Sequence, residues 1–321
     1  MIFNSEPNKL DNLQVNVKEL YKEYPVSEKS KINLHKGDIK HFYTFQKIYK
    51  NRLLPLKFRN KLWYLFHITN LDQFWFYEFK NYWSKFLKGR TLFGIIDFYF
   101  FKNIFRLKFQ TVEVSDTEKV ESHIAAWQKN EVLYQLLHLV QRESSINKLA
   151  TIKQVRKYIN FKSFLEFGCG TAPITKTYLT FYKKSAKTKI YISDIQTIAF
   201  HFATQRFSNY KNITPILLKE ENDLLLTDEI KTDVIFCVTV FEHLNKPLET
   251  IKKIYKILNN NGVLVFDYIL SDGDGLDTMQ GIRERNDVLK FIEKYFIVLF
   301  GKVDYDNSMG RTIIRKKTNV K

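Results

Sequence analysis

Cysteine is scarce in this chain. Among 321 residues there are 2, Cys169 and Cys237, which excludes a disulfide-stapled scaffold and any metal site built on paired cysteine motifs, and favours a reduced pair of thiols. Long apolar runs are also missing. The longest, Leu92 to Phe101, carries Asp97 and falls far short of the roughly 20 residues a membrane span needs. The opening Met1-Ile-Phe-Asn-Ser-Glu-Pro7 lacks the basic start and apolar core of a secretory leader. These absences give the expectation of a cytoplasmic protein, free or peripheral to the inner face of the membrane. What remains is an apolar fraction of 45%, enough for a real core in one large or two ordinary domains.

The most informative stretch is Lys162 to Thr175, KSFLEFGCGTAPIT. Phe164 to Phe167 read as a buried strand, Gly168-Cys169-Gly170-Thr171 as a tight turn, and Pro173 as a helix start. Glycine lets a backbone approach a ligand at dihedrals closed to other residues, and the unpaired N–H groups of a helix start point at whatever sits there. Glu166, at the strand end, stands where a carboxylate meets a cationic or hydroxyl-bearing ligand. Gly-x-Gly alone is weak evidence, so the downstream pattern decides. Lys189 to Asp194 form a second short strand ending in an acid 24 positions beyond Gly170, the spacing that sets a carboxylate beside the ribose of a nucleotide-like ligand. Thr232 to Leu244 read as an apolar strand running out into Glu242-His243-Leu244, and Asn259 to Gly262 as a turn before a buried strand, Val263 to Tyr268.

With these four markers the sequence resembles the class I S-adenosylmethionine-dependent methyltransferases. Leu165-Glu-Phe-Gly-Cys-Gly-Thr171 matches the cofactor loop, Ser193-Asp194-Ile195 the second strand end, and Asp233-Val-Ile-Phe with Val240-Phe-Glu-His-Leu-Asn-Lys-Pro247 the fourth strand and its exit. Helix Leu248 to Leu258 and the strand after it continue the match, which covers roughly residues 121 to 321. Ala172 stands where the family often has a third glycine. The resemblance implies an α/β fold, a Rossmann-like, seven-stranded, mostly parallel sheet, here with a mainly helical N-terminal extension. It implies S-adenosylmethionine as cofactor, held by Glu166, Phe167, Gly168, Cys169, Gly170, Asp194, Ile195, Val238 and Thr239, with Asn222 and Asp223 near the adenine. It places the two cysteines at neighbouring strand ends, close enough to touch, and it ends the sheet in an antiparallel hairpin drawn from Phe296 to Val303 and Arg311 to Arg315.

The first third of the chain is not explained by the resemblance. Residues 1–35 read as a polar lead-in with a short helix around Leu13 to Tyr24, 36–120 as a basic, aromatic-rich helical region, and 121–321 as the methyltransferase domain. Residues 40–110 hold 14 Lys and Arg against 3 acids, 11 of the chain's 17 net positive charges, and 23 of its 50 aromatic rings. Three readings stand side by side: a helical cap with a solvated basic face, attachment to an anionic membrane surface, and a nucleic-acid module, the last ranked lower.

Helices are expected at Thr117 to Val140 and Asn147 to Tyr158. A helix ahead of the cofactor loop often lids the site in the resembled family, which makes His123, Trp127 and Tyr134 candidates to face substrate. His243 is the candidate general base, since imidazole titrates near neutral pH. Asp267 and Tyr268, at the end of the fifth strand, are the other candidates for catalysis and substrate contact. Four carboxylates follow within Asp267 to Asp277, but a calcium loop counted from Asp272 has Arg283 where its twelfth ligand, a glutamate, belongs. No Pro-Cys nucleophile occurs, and Val240-Phe-Glu-His replaces the Asn/Asp-Pro-Pro-aromatic turn of enzymes acting on base amino groups. The expectation is therefore methyl transfer to a small-molecule acceptor, a hydroxyl of a sugar, glycolipid or related metabolite, with a lipid-linked glycan as the candidate partner and membrane contact through residues 40–110. An RNA methyltransferase and a non-catalytic scaffold are the alternatives.

Overall fold

The computed structural model describes residues 74–86, short pieces between 98 and 116, and 119–129, 133–142, 146–182, 185–218, 230–270 and 276–318. The expected lead-in, most of the basic aromatic region, Asn222 and Asp223, and the acidic residues Asp272 and Asp274 lie outside the described residues.

Seven strands form one sheet. In chain order they are β1 (Ser163–Phe167), β2 (Lys189–Ile195), β3 (Ile213–Leu218), β4 (Thr232–Cys237), β5 (Leu258–Tyr268), β6 (Phe296–Phe300) and β7 (Met309–Lys316). They lie side by side in the order β3-β2-β1-β4-β5-β7-β6. β1 to β5 run parallel, and β7 is antiparallel to both β5 and β6. This is the mostly parallel sheet and closing hairpin that the sequence implied.

Period-two alternation sends successive residues to opposite faces. Leu165, Ile235, Cys237, Leu264 and Phe266 pack on one face beneath Ile251, Ile254, Val288, Leu289 and Ile292, which belong to helices α7 (Pro247–Ile257) and α9 (Arg285–Tyr295). Phe164, Ile190, Ile192, Val234 and Phe236 pack on the other beneath Ile152, Val155, Ile174, Tyr178 and Phe200, carried by α4 (Ile146–Arg156), α5 (Pro173–Phe181) and α6 (Ile198–Arg206). Rings such as Phe164 and Phe236, edge to face at 5.6 Å, each contribute about 1.5–3 kcal/mol through burial. The two free cysteines belong to these opposite layers, Cys169 to one and Cys237 to the other.

The described residues divide into two compact units, 112–129 with 147–318 and 74–109 with 133–142. The boundary expected after residue 120 falls near 111, and the helix expected over Thr117 to Val140 is two helices, α2 (Val120–Trp127) and α3 (Leu133–Arg142), one in each unit. Polar Gln128 closes α2 through amide bonds to Ile124 and Ala125. In the second unit α1 (Phe74–Lys85) packs with α3. Phe79, Trp83, Phe98 and Phe101 are fully buried there against one another, at ring separations of 5.2 to 5.7 Å. These four rings serve packing, leaving none of their faces for a base or a bilayer. No described helix is long and apolar enough to cross a membrane.

The turn between β6 and β7 is held to α9 by a cation. Arg285, buried at the start of α9, donates to the carbonyls of Tyr305 (2.7 Å), Asp304 (2.8 Å) and Asn307 (2.7 Å). Replacing it by methionine strands those carbonyls without a donor. Arg285→Met is expected to lower stability by about 3 kcal/mol, read as an earlier midpoint in urea unfolding; a loss under about 1 kcal/mol contradicts this role.

Candidate functional site

The strand ends of β1, β2, β4 and β5 open at the same edge of the sheet, and the chain leaves β1 toward β2 on one side and β4 on the other. In open α/β sheets ligands bind at that crevice. The turn after β1 is built from three left-handed residues at alternate positions: Gly168 at φ 60°, Gly170 at φ 52° and Ala172 at φ 53°. Gly168 is also confined in space. A Cβ there would stand 2.5 Å from Val240 Cγ2, so the loop after β4 packs directly on the turn. Ala172 is wholly buried and holds the left-handed conformation without glycine's freedom, a strain of about 1–2 kcal/mol.

Helix α5 starts at Pro173 with Ala172 as its cap residue, which has no side-chain acceptor. The missing acceptor comes from the strand. Glu166 takes bonds from Ile174 N (2.9 Å), Thr175 N (2.8 Å) and Thr175 Oγ1 (2.7 Å). Its carboxylate thus satisfies the orphan amides of the helix start. This corrects the expectation that Glu166 meets the ligand: both oxygens are turned inward and committed. Burial pushes its carboxyl up to about 7, against the three bonds that favour the ionised form.

Asp194 closes the turn from the other side. Its Oδ2 accepts from Gly170 N at 2.6 Å and its Oδ1 from Ile195 N at 2.8 Å. The residue is half-buried, and each of its oxygens accepts one bond. Burial raises the carboxyl to about 6, with the two amides and the charge of His243 pulling the other way. Two hydroxyls at the turn, Thr171 Oγ1 and Ser193 Oγ, are buried with no partner in the protein. Cys169 is buried, its amide bonded to Ser193 O at 3.0 Å, and desolvation holds its thiol well above the usual range. Phe167 is buried and Ile195 half-buried at their strand ends.

Opposite this turn, Val238 is half-buried and Thr239 exposed in a left-handed conformation at φ 58°. Asp267 explains that conformation: its Oδ1 accepts from Thr239 N at 2.5 Å. Asp267 thus anchors the loop through Oδ1. Burial raises its carboxyl, offset by the Thr239 amide, Arg311 and His243. Tyr268 is withdrawn. Its ring is buried in the core, stacked on Phe241 at 5.2 Å, with its hydroxyl donating to Gly281 O. His123 is buried on α2. Tyr134 lies in the other unit, 3.4 Å from His138 Nδ1.

Trp127 and His243 are brought together, edge to face with ring centroids 5.3 Å apart. His243 ends a short 3-10 turn, Phe241–His243. Its Nδ1 lies 2.8 Å from Asp277 Oδ1 and 3.3 Å from Leu276 O. Burial alone would lower the imidazole's pKa, but Asp277, Glu242 and the Leu276 carbonyl together raise it. The imidazolium thus stabilises the fold at acidic pH, and that contribution is lost as pH rises through the raised midpoint. Glu242 Oε2 is buried with no partner, and burial lifts its carboxyl to about 7.

Asp277 and Thr278 were not singled out by sequence reasoning. Thr278 donates its amide to Glu242 O (2.9 Å) and its hydroxyl to Leu244 O (2.6 Å), and its Oγ1 accepts from Gly281 N (2.8 Å), capping α8 (Met279–Arg283). The acid-threonine pair ahead of a helix was the available signal. Among the described residues no cluster of His, Cys, Asp and Glu could hold a metal ion.

Residues 165–264 match a family described as a methyltransferase domain. The matched segment runs from β1 into β5 and holds the Gly168 turn, Asp194 and the exit from β4, in agreement with the resemblance to the S-adenosylmethionine-dependent methyltransferases. A malonyl-[acyl-carrier protein] O-methyltransferase of Halalkalibacterium halodurans is 28% identical over 154 residues, 47% of this chain and 55% of that protein, so the chain spans about half the length of this curated relative. Among solved structures, the N-methyltransferase NodS from Bradyrhizobium japonicum WM9 bound to S-adenosylhomocysteine has 15% identity, covers 63% of this chain and 99% of its own, and has a TM-score of 0.43. An O-methyltransferase family protein from Burkholderia thailandensis has 11% identity, covers 71% and 72%, and scores 0.45.

S-adenosylmethionine fits the residues of this domain. The half-buried Asp194 would accept from ribose hydroxyls, and the left-handed backbone of the turn lies beside two unpartnered hydroxyls, Thr171 Oγ1 within it and Ser193 Oγ on β2. A methyl at Gly168 must displace Val240 and adopt a disfavoured dihedral. Gly168→Ala is expected to weaken S-adenosylhomocysteine binding about tenfold or more in calorimetric titration, whereas an affinity equal to the wild type contradicts the placement of this turn at the site.

Proposed function

We propose that this protein transfers a methyl group from S-adenosylmethionine to an alcohol oxygen of a small-molecule acceptor, a sugar, glycolipid or related metabolite. The observation that carries the reading is the turn that Glu166, Asp194 and Val240 hold together at the switch point of the sheet, with His243 on the neighbouring loop. The cofactor supplies a methyl carbon on a positively charged sulfur, open to in-line displacement. The chain's own residues have three tasks. Asp194 binds hydroxyls, the Gly168 turn and Val238-Thr239 fix the orientation, and His243 receives the proton of the acceptor. A base is needed when the nucleophile is a poor one such as an alcohol, and His243, half-buried against Trp127, is the described group suited to that task near neutral pH. The match to an O-methyltransferase of Halalkalibacterium halodurans supports oxygen as the target, and the choice of an alcohol over a carboxylate, such as a malonyl group carries, rests on His243.

The test uses the full chain with S-adenosylmethionine and panels of sugars, nucleotide sugars, glycolipids, short carboxylic acids and RNA, following release of S-adenosylhomocysteine. Release is expected with an alcohol-bearing acceptor and is expected to fall at least about 100-fold in His243→Gln. Release with RNA alone points instead to the nucleic-acid reading, and absence of cofactor binding by the wild-type protein points to a scaffold.

A further inference from the structure

The Glu242-His243-Leu244 turn is gripped by the chain returning from the loop after β5. Over six residues, Leu276 and Asp277 take His243, Thr278 takes Glu242 and Leu244, and Gly281 lies so close that a Cβ there would meet Glu242 O at 2.7 Å. The outcome is a defined imidazole. Leu276 O is a carbonyl and accepts only, and Asp277 Oδ1 accepts when ionised, so Nδ1 must be the nitrogen that carries the proton. In the neutral ring the lone pair then sits on Nε2. A neutral histidine with Nδ1 held by a carboxylate and Nε2 bare has the form of a general base.

We propose that Asp277 is the positioning residue of a His243–Asp277 pair that deprotonates an alcohol acceptor through His243 Nε2. The inference rests on the methyl-transfer reading above and extends it to a residue pair and an acceptor class. The step balances. The acceptor oxygen bonds to the methyl carbon while the carbon–sulfur bond breaks with its electrons kept by sulfur, and the hydroxyl proton moves to Nε2. Asp277 holds the ring and stabilises the imidazolium that forms. An acceptor already ionised, such as a carboxylate, gives up no proton and makes no use of the pair. The other charged groups facing His243 reinforce this preference: Glu242 on its own turn, Asp194 at the end of β2 and Asp267 at the end of β5 are all acids, so a further negative charge is unwelcome there.

The test is direct observation of the ring by nitrogen-15 magnetic resonance on histidine-labelled full-length protein, with His243→Gln used to assign the signal. The expected spectrum shows Nδ1–H and bare Nε2 above the midpoint. Asp277→Asn keeps an acceptor for Nδ1 but loses the charge, and is expected to keep the tautomer while its midpoint falls by about one pH unit or more. Asp277→Ala is expected to lose both features, and Asp277→Glu to restore the midpoint in part. S-adenosylhomocysteine affinity, measured on each variant, is expected to stay within about threefold of the wild type, since the pair lies outside the cofactor turn. An Nε2–H tautomer in the wild type, a midpoint unmoved in Asp277→Asn, or a carboxylate as the acceptor that is turned over would overturn the proposal. Failure of the wild type to bind S-adenosylhomocysteine would sink the methyl-transfer reading and leave the state of the histidine to be judged separately from the spectra.

Discussion

The site depends on one carboxylate joining a strand end to a helix start. Glu166 leaves β1 and accepts the first free amides of α5 eight and nine residues later, which forces the residues between them into a closed turn. Without that acceptor the helix would begin at an alanine that cannot cap it, and a sharply bent backbone would have nothing to oppose its strain. Everything else leans on this arrangement. Asp194 ties the middle of the turn through Gly170 N, and Val240 fills the space that a side chain at Gly168 would need. Asp267 holds Thr239, the residue before Val240, in its left-handed conformation. Three acids from three strand ends thus share one structural task, bonding backbone N–H groups at turns that no regular ladder satisfies. Their price is desolvation, visible in carboxyls raised to about 7 at Glu166 and about 6 at Asp194.

The side of the crevice that holds His243 is organised differently. There the backbone of Glu242, Leu244 and Leu276 and the side chain of Thr278 lace two loops together, and the imidazole of His243 is oriented as a by-product of that lacing. Trp127 from α2 then covers one edge of the ring. Shielding by an indole and support from Asp277 act on the same proton equilibrium in opposite directions. Burial lowers the pKa and the carboxylate raises it, and the second wins.

Much of this was legible in the chain. Strand β1, the turn, the start of α5 at Pro173, β2 ending in an acid, and the antiparallel hairpin all follow from short-range signals: period-two apolar residues, glycine at a forced bend, proline at a helix start. The direction in which a side chain points was not legible. Glu166, Asp267 and Tyr268 sit at strand ends, where ligand contact is the natural reading, yet all three point to backbone groups distant in sequence. Asp277 was lost among the other acids of its loop because its partner lies 34 positions earlier, and no local pattern joins an Asp-Thr pair to a Glu-His-Leu turn. The break after Trp127 was hidden as well, because apolar spacing continues across it while the chain passes from one compact unit to another.

Hydrogen–deuterium exchange of the full-length protein, with and without S-adenosylhomocysteine, tests the central claim most directly. The amides of the Gly168 turn, the residues after Asp194 and the loop from Val238 to Val240 belong to three segments far apart in sequence. If these segments form one cofactor cradle, the ligand slows exchange in all three together and leaves the β6–β7 hairpin unchanged. Protection confined to other peptides, or absent from the Gly168 turn, would contradict the account.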